Sequence, residues 1–465
     1  MKRVYLDWGV ISNLKKPELA AVRDFLLAHK GSLFFVYSPA HFEDAMRSDG
    51  DERLYQDIMT LESLVDNHYI TYSRKGTSPY LLTPTEYYQE NKGKKLDTIP
   101  DYSVILSTIS NDIPVLGGLI KTLLDMPFPI PEAARKQDLF SKMMPGLPDS
   151  PSINDVLHSS AIFMNNMMSD KNYYKNYRSS IWSAGLKLEP NAGKWEAKEV
   201  VPNISAYLKA KGFDKSFEEF VLTGFGNKDK VDNFQFFIAA YSMLDLIGYK
   251  ADKLPKASSA MNSVNTDAQH AYYAAFCDYL VTQDTTLASK AQALYNEFKI
   301  STKVITPFEI INELNVARYD DLERLIREQL KDDNIEEREE GAVAYKLTQP
   351  FLGMFSHCVA YEQQDGTLLE FKLVFKNYSN FVFYEEAGIM IDVVCDYLGR
   401  PSSEKYESVR KRIVSCELNA SINWQGKGIL FTLKADPDRC RPVLYVMIYG
   451  RCDIANFALS GGNQQ

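Results

Sequence analysis

Apolar positions along this chain change their period several times, and each change marks an element. Residues 2–6 (KRVYL) read as a short strand ending at Asp7. Over 17–30, Leu19, Val22, Phe25 and Leu26 fall at helical spacing. "SLFFVY" (32–37) is apolar without a break, the pattern of a strand buried on both faces. Ser38 and Pro39 then supply an N-cap and a first helical residue. "HYITYS" (68–73) reads as a third strand. Strands alternating with helices in this order predict a parallel sheet.

From about residue 76 the texture becomes polar and turn-rich, and 100–250 is mostly helical in pattern. The αβ rhythm resumes with "TDAQHAYYAAFC" as a helix, "YLVT" as a strand, "LASKAQALYNEF" as a helix, "TKVITP" as a strand and "FEIINELN" as a helix. The charged run "DDNIEEREE" (332–340) reads as a solvated helix end or linker and marks a domain boundary. Beyond it, strand-like runs flank Asp365-Gly366 and then Gly426 and Gly428, as hairpins do. The expected protein is α/β. Residues 1–75 and 255–330 form a parallel sheet flanked by helices, 76–254 a large, mainly helical insert, and 341–465 an α+β or mostly β accessory domain.

Composition adjusts this picture only slightly. A chain of 465 residues exceeds one ordinary core, and 45% hydrophobic with 24% charged residues is globular. A net charge of −9 disfavours nucleic-acid binding by bulk charge. It leaves room for a nuclease with a local basic groove, because an acidic metal site itself adds negative charge. No apolar run reaches the roughly 20 residues of a bilayer span, and "MKRVYLDWGVIS" does not read as a signal peptide. The six cysteines form no C-x-x-C pair and read as reduced, mostly buried thiols. These features point to the cytoplasm. A small-molecule αβ enzyme lacks support, since the chain has neither a Gly-rich phosphate loop nor a G-x-S-x-G motif.

The chemistry rests on acids. In a parallel αβ sheet, ligands bind beyond the carboxyl ends of the strands. The first strand ends at Asp7, and the helix after the second carries Glu43. A helix over 267–277 advances about 15 Å, and an extended segment over 279–284 returns about 16 Å. Asp267 and Asp284 therefore come back to one edge, and Asp278 is left at the other. Four carboxylates so gathered need a cation, and oxygen-only ligands suit Mg²⁺ or Mn²⁺. Such an ion would activate water for an in-line displacement at phosphorus. His270, one turn after Asp267, faces the same way and serves either a phosphate, Asp267 or the core. Thr282 precedes Asp284 by two positions and either reaches the site or merely favours the strand. "KNYYKNYR" interleaves Lys171, Lys175 and Arg178 with aromatics, as single-strand binders do, and "KGKK" clusters Lys92, Lys94 and Lys95. Solvated surface explains both runs equally simply.

In order, "VYLDWGVIS", "SPAHFEDA", "NTDAQHAYYAAFCDYLVTQDTTLASKA" and "KVITPFEII" resemble the signature segments of PIN-domain ribonucleases. The resemblance spans 1–75 and 255–318, under a third of the chain. It implies a PIN-like sheet, with the family's four catalytic and metal-binding acids at Asp7, Glu43, Asp267 and Asp284. It also implies Mg²⁺ or Mn²⁺ as cofactor and RNA as substrate, with single-stranded DNA as the second candidate. The insert and C-terminal domain would then set substrate choice, regulation by a protein partner, or assembly into a homo-oligomer. By analogy, a toxin or defence role is compatible. One departure stands out. The family places a small hydroxyl residue and an asparagine after the first aspartate, where this chain has Trp8 and Gly9. A second reading therefore stays open, that of a PIN-like binding or scaffold module with impaired catalysis.

Overall fold

The computed structural model describes residues 2–30, 33–47, 51–73, 75–92, 124–223, 231–251, 260–313, 321–374, 381–417, 419–436 and 441–450. The first stretch comprises β1 (Lys2–Leu6), α1 (Trp8–Asn13), α2 (Ala20–Ala28), β2 (Leu33–Val36), α3 (Pro39–Ala45), α4 (Asp51–Val65), β3 (His68–Ser73), β4 (Gly76–Leu81) and α5 (Pro84–Asn91). Helices α6 (Glu132–Arg135), α7 (Asp138–Met143), α8 (Ile153–Ser169), α9 (Lys171–Ser183), α10 (Ala197–Ala210), α11 (Phe217–Leu222) and α12 (Asn233–Leu246) follow. The αβ pattern returns as α13 (Ala260–Ala274), β5 (Tyr279–Val281), α14 (Thr285–Glu297), β6 (Lys303–Ile305) and α15 (Glu309–Glu313). The remainder holds α16 (Leu322–Gln329), β7 (Ile335–Glu339), β8 (Ala342–Phe351), β9 (Phe355–Gln363), β10 (Gly366–Lys372), α17 (Tyr384–Leu398), α18 (Ser403–Val414), β11 (Ser421–Gly426), β12 (Ile429–Asp436) and β13 (Arg441–Tyr449).

The first sheet is parallel, in the order β2-β1-β5-β6. β1, β2 and β5 are buried on both faces, as the uninterrupted apolar run in β2 requires. Alternate residues supply two cores. Tyr5, Phe34, Val36 and Leu280 face α10, α12, α13 and α14. Val4, Leu6, Phe35, Tyr279 and Val281 face α1, α2 and α4. The segment expected as a third parallel strand differs. β3 pairs antiparallel with β4 and meets the main sheet at the Tyr37–Tyr69 bridge and through His68, which bonds the Phe35 carbonyl of β2. The insert is not a separate body either. Val200 and Ile204 of α10 and Phe237 and Leu244 of α12 belong to the same core as Tyr5.

The C-terminal sheet is antiparallel, in the order β11-β12-β13-β10-β9-β8-β7. Both hairpins expected around Asp365-Gly366 and Gly426–Gly428 form, as β9–β10 and β11–β12. The run "DDNIEEREE" is corrected from helix end or linker to a 3₁₀ turn followed by the edge strand β7. Charged side chains hide a period of two, and an edge strand tolerates them because one side faces water. α16 packs Leu322 and Leu325 into this second core, so the boundary falls before it and not at 330. Cys277, Cys358 and Cys395 are buried thiols outside any disulfide, whereas Cys416 is disulfide-bonded, which corrects the all-reduced expectation. Among the described residues no helix is long and apolar enough to cross a membrane.

A buried ion pair joins the first sheet to α17. Arg3 and Glu386 are 1% and 2% exposed in their side chains, and their closest contact is 2.7 Å. The guanidinium also donates to the Phe276 and Phe381 carbonyls at 3.1 and 2.7 Å, between the Phe381 and Phe383 rings. Removing one member of such a pair strands the other charge without water. Glu386→Ala is therefore expected to destabilise by about 3–5 kcal/mol in denaturant unfolding. A loss below about 1 kcal/mol would contradict this account.

Candidate functional site

Asp7 ends β1 and is only 5% exposed. Its backbone N–H continues the ladder to the Val281 carbonyl at 3.1 Å. Its side chain caps α1, with Oδ1 accepting from the Val10 N–H at 2.7 Å. Oδ2 accepts from the Thr282 hydroxyl, whose oxygen in turn accepts from the Asp284 N–H at 2.9 Å. Among the described residues no lysine or arginine pairs with Asp7. Burial raises its carboxyl above the usual range, against the Thr282 and Val10 hydrogen bonds and the nearby His270. Asp284 is exposed at the start of α14, with Oδ1 accepting from the Thr286 and Leu287 N–H groups at 2.6 and 2.9 Å. Asp7, Thr282 and Asp284 thus share the carboxyl edge of the two central strands.

Trp8 does not intrude on this edge. Its indole is 6% exposed and packs with Val4, Leu6 and Val10 in the core behind α1. Gly9 is exposed, and a Cβ there would stand 3.2 Å from Asp7 Oδ1.

Glu43 is turned toward α13, where Gln269 Nε2 donates to both its oxygens at 2.9 Å and the Thr266 hydroxyl approaches at 3.0 Å. The charge of its neighbour Asp44 is one of the smaller influences that raise the Asp7 carboxyl, after burial. Asp44 Oδ2 lies 3.0 Å from His270 Nε2, and Oδ1 lies 3.1 Å from Arg47. His270 is 1% exposed, so it is an interior residue and not a phosphate contact. Its Nδ1 lies 2.9 Å from the Tyr5 hydroxyl, which lies 2.6 Å from the Ser38 hydroxyl. With Asp44 on Nε2, the proton belongs there, and Nδ1 accepts from Tyr5. His41 backs this chain. It accepts from the Ser38 N–H at 3.1 Å through Nδ1 and reaches the Leu6 carbonyl at 2.8 Å through Nε2, and burial pushes it down to about 3.

Asp267 does not start its helix, because α13 begins at Ala260. It lies three residues before His270, about 4.5 Å nearer the carboxyl edge than the level of Tyr5. Asp278 takes the opposite edge, as the segment arithmetic requires. It accepts from the Arg3 N–H and from Lys2 Nζ, both at 2.9 Å.

The basic candidates divide. Arg178 is corrected to an interior residue, 8% exposed, and its guanidinium holds Asp245 at 2.9 Å. Lys290, fully buried, takes the other oxygen of Asp245 at 2.9 Å. Lys92 and Lys175 are exposed, Lys94 and Lys95 lie outside the described residues, and the Lys171 side chain is likewise not described.

Nor does the structure gather four acids into one cage. Among the described residues no three His, Cys, Asp or Glu side chains converge closely enough to hold an ion. The donor set still fits a hard divalent cation held by one or two carboxylates. Such ions keep several waters and take substrate phosphate oxygens to complete their shell. The buried Asp7, without a lysine or arginine partner among the described residues, is the candidate donor. No family model matches this chain, and no curated protein or solved structure is matched by it.

The raised Asp7 carboxyl carries a stability cost. The folded state holds this proton more tightly than the unfolded chain, whose carboxyl titrates near about 3.9. Its contribution is most favourable below that pH, declines as pH rises to the folded pKa, and is unfavourable above it. Asparagine caps a helix equally well and does not ionise. Asp7→Asn is therefore expected to raise the unfolding midpoint at neutral pH, the gain shrinking toward a pH of about 4. An unchanged or lower midpoint at neutral pH would contradict the assigned burial cost.

Proposed function

We propose that the protein is a metal-dependent, PIN-like nuclease that hydrolyses phosphodiesters in RNA, with Mg²⁺ or Mn²⁺ as cofactor. One observation carries the reading: a buried carboxylate, Asp7, ends the central strand of a parallel sheet beside Thr282 and Asp284, without a cationic partner among the described residues. The sheet order β2-β1-β5-β6 also supports it, since it puts the ends of β1 and β5 side by side.

Asp7 and Asp284 would hold the ion, with Glu43 and Asp44 on α3 and Asp267 on α13 as the neighbouring acids. When bound, the ion lowers the pKa of water and offsets charge on the phosphodiester. The Thr282 hydroxyl fixes Asp7 Oδ2, and the Val10 N–H fixes Oδ1, so the carboxylate needs little reorganisation as charge develops. Water attacks phosphorus, the bond to the 3′ oxygen breaks, and the products carry a 5′-phosphate and a 3′-hydroxyl. RNA as substrate follows from the resemblance and not from the geometry.

A scaffold reading is favoured by a different observation, the lack of any three convergent ligands among the described residues. Labelled single-stranded RNA with Mn²⁺ or Mg²⁺ separates the two. Wild type is expected to cleave it, chelation to stop cleavage, and Asp7→Asn and Asp284→Asn each to lower kcat by about 10²–10³. Equal cleavage by all three proteins would expose a contaminant and overturn the reading. No cleavage by any, together with no Mn²⁺ affinity, would favour the scaffold.

A further inference from the structure

Beneath the candidate site lies a buried hydrogen-bonded chain that the proposed reaction does not itself use. It runs from Ser38 through Tyr5 and His270 to Asp44, with heavy-atom steps of 2.6, 2.9 and 3.0 Å. Ser38, Tyr5 and His270 are at most 1% exposed. None of the three can touch a substrate, yet each belongs to a different element bearing on the site. Tyr5 lies on β1 two positions before Asp7, Ser38 begins α3, which carries Asp44, and His270 lies on α13 one turn after Asp267.

Ser38 begins α3 in a capping box with His41, its side chain facing the His41 N–H and its own N–H donating to His41 Nδ1 at 3.1 Å. The same hydroxyl lies 2.6 Å from the Tyr5 hydroxyl, so the cap is also a link of the chain. His41 Nε2 then reaches the Leu6 carbonyl at 2.8 Å, next to Asp7 itself. The start of α3 is thereby tied to the end of β1 at two points. The His270–Asp44 contact ties α13 to the same assembly.

We propose that Tyr5 and His270 are positioning residues, which hold the Asp44 carboxylate at a fixed place relative to Asp7 across the β1–α3–α13 junction. This rests on the nuclease reading of the site. A buried polar chain has few alternative partners, so breaking one link leaves hydroxyl and imidazole to rearrange together and frees Asp44 to swing toward Arg47. A displacement of about 1 Å in a reacting group costs up to about 10²-fold in rate.

The test uses the full chain and four variants: Tyr5→Phe, His270→Gln, their double mutant, and Tyr295→Phe as a control. The control removes another buried tyrosine hydroxyl bound to α13, on the Ala271 carbonyl at 2.5 Å, outside the relay. Kinetics of Mn²⁺-dependent RNA cleavage, Mn²⁺ affinity by calorimetry, and ¹⁵N NMR of histidine-labelled protein are the readouts. Tyr5→Phe is expected to lower kcat roughly 10- to 100-fold with KM within about threefold. The double mutant should be no slower than His270→Gln alone, because the residues act as one unit. The His270 ring in wild type should show the Nε2-protonated tautomer and lose that fixed form in Tyr5→Phe. Tyr295→Phe should lose stability without losing kcat.

Three results would overturn the proposal: kcat within about twofold in Tyr5→Phe, an equal kcat loss in Tyr295→Phe, or additive effects in the double mutant. A wild-type protein with neither cleavage nor Mn²⁺ affinity would instead overturn the nuclease reading, and the positioning role with it. Active wild type with an unaffected Tyr5→Phe removes the positioning role alone.

Discussion

Everything at the candidate site depends on one face of one short strand. Arg3, Tyr5 and Asp7 alternate along β1, so all three point to the same side of the sheet. All three are polar, and all three are buried at 5% exposure or less. A strand in the middle of a sheet can carry such residues only if each finds a partner inside the protein. Arg3 finds Glu386, Tyr5 finds Ser38 and His270, and Asp7 finds Val10 and Thr282. The partners come from the C-terminal domain, α3, α13, α1 and the end of β5. The strand therefore collects the accessory parts of the chain around the edge where the acids lie.

A second buried ion cluster does the same for the helix that begins with Asp284. Lys290 lies six residues into that helix and is fully buried against Asp245 of α12, which also holds Arg178 and Tyr174 of α9. The insert thus fixes α14 by charge as well as by the shared apolar core. What reads along the chain as an interruption is, in three dimensions, part of the support for the sheet's carboxyl edge.

The sequence was informative wherever a local pattern decided the outcome. β2 showed itself as an unbroken apolar run, α3 by Ser38 and Pro39, and β9–β10 by Asp365-Gly366. Rise per residue was enough to send Asp278 and Asp284 to opposite edges. Questions of rotation and long-range pairing were not legible. Glu43 and Asp44 are adjacent on a helix, about 100° apart, and only the packing of α3 on α13 decides which one meets His270. Arg178 looked like a surface cation because its partner, Asp245, lies 67 positions away. β7 looked helical or unstructured because five mostly charged residues carry no apolar alternation. The Trp8-Gly9 departure read as a change at the site, but the indole belongs to the core.

The Arg3–Glu386 pair also has a meaning in time. Its members are 383 positions apart, and Tyr5 and His270 are 265 apart. During synthesis at roughly 5–20 residues per second, β1 waits tens of seconds for the groups that neutralise it. Until then its arginine and carboxylate have no interior to enter, and the acid edge has no fixed geometry. Pairs this far apart in sequence close late and slow assembly. A chain cut before α17 lacks the partner of its buried arginine.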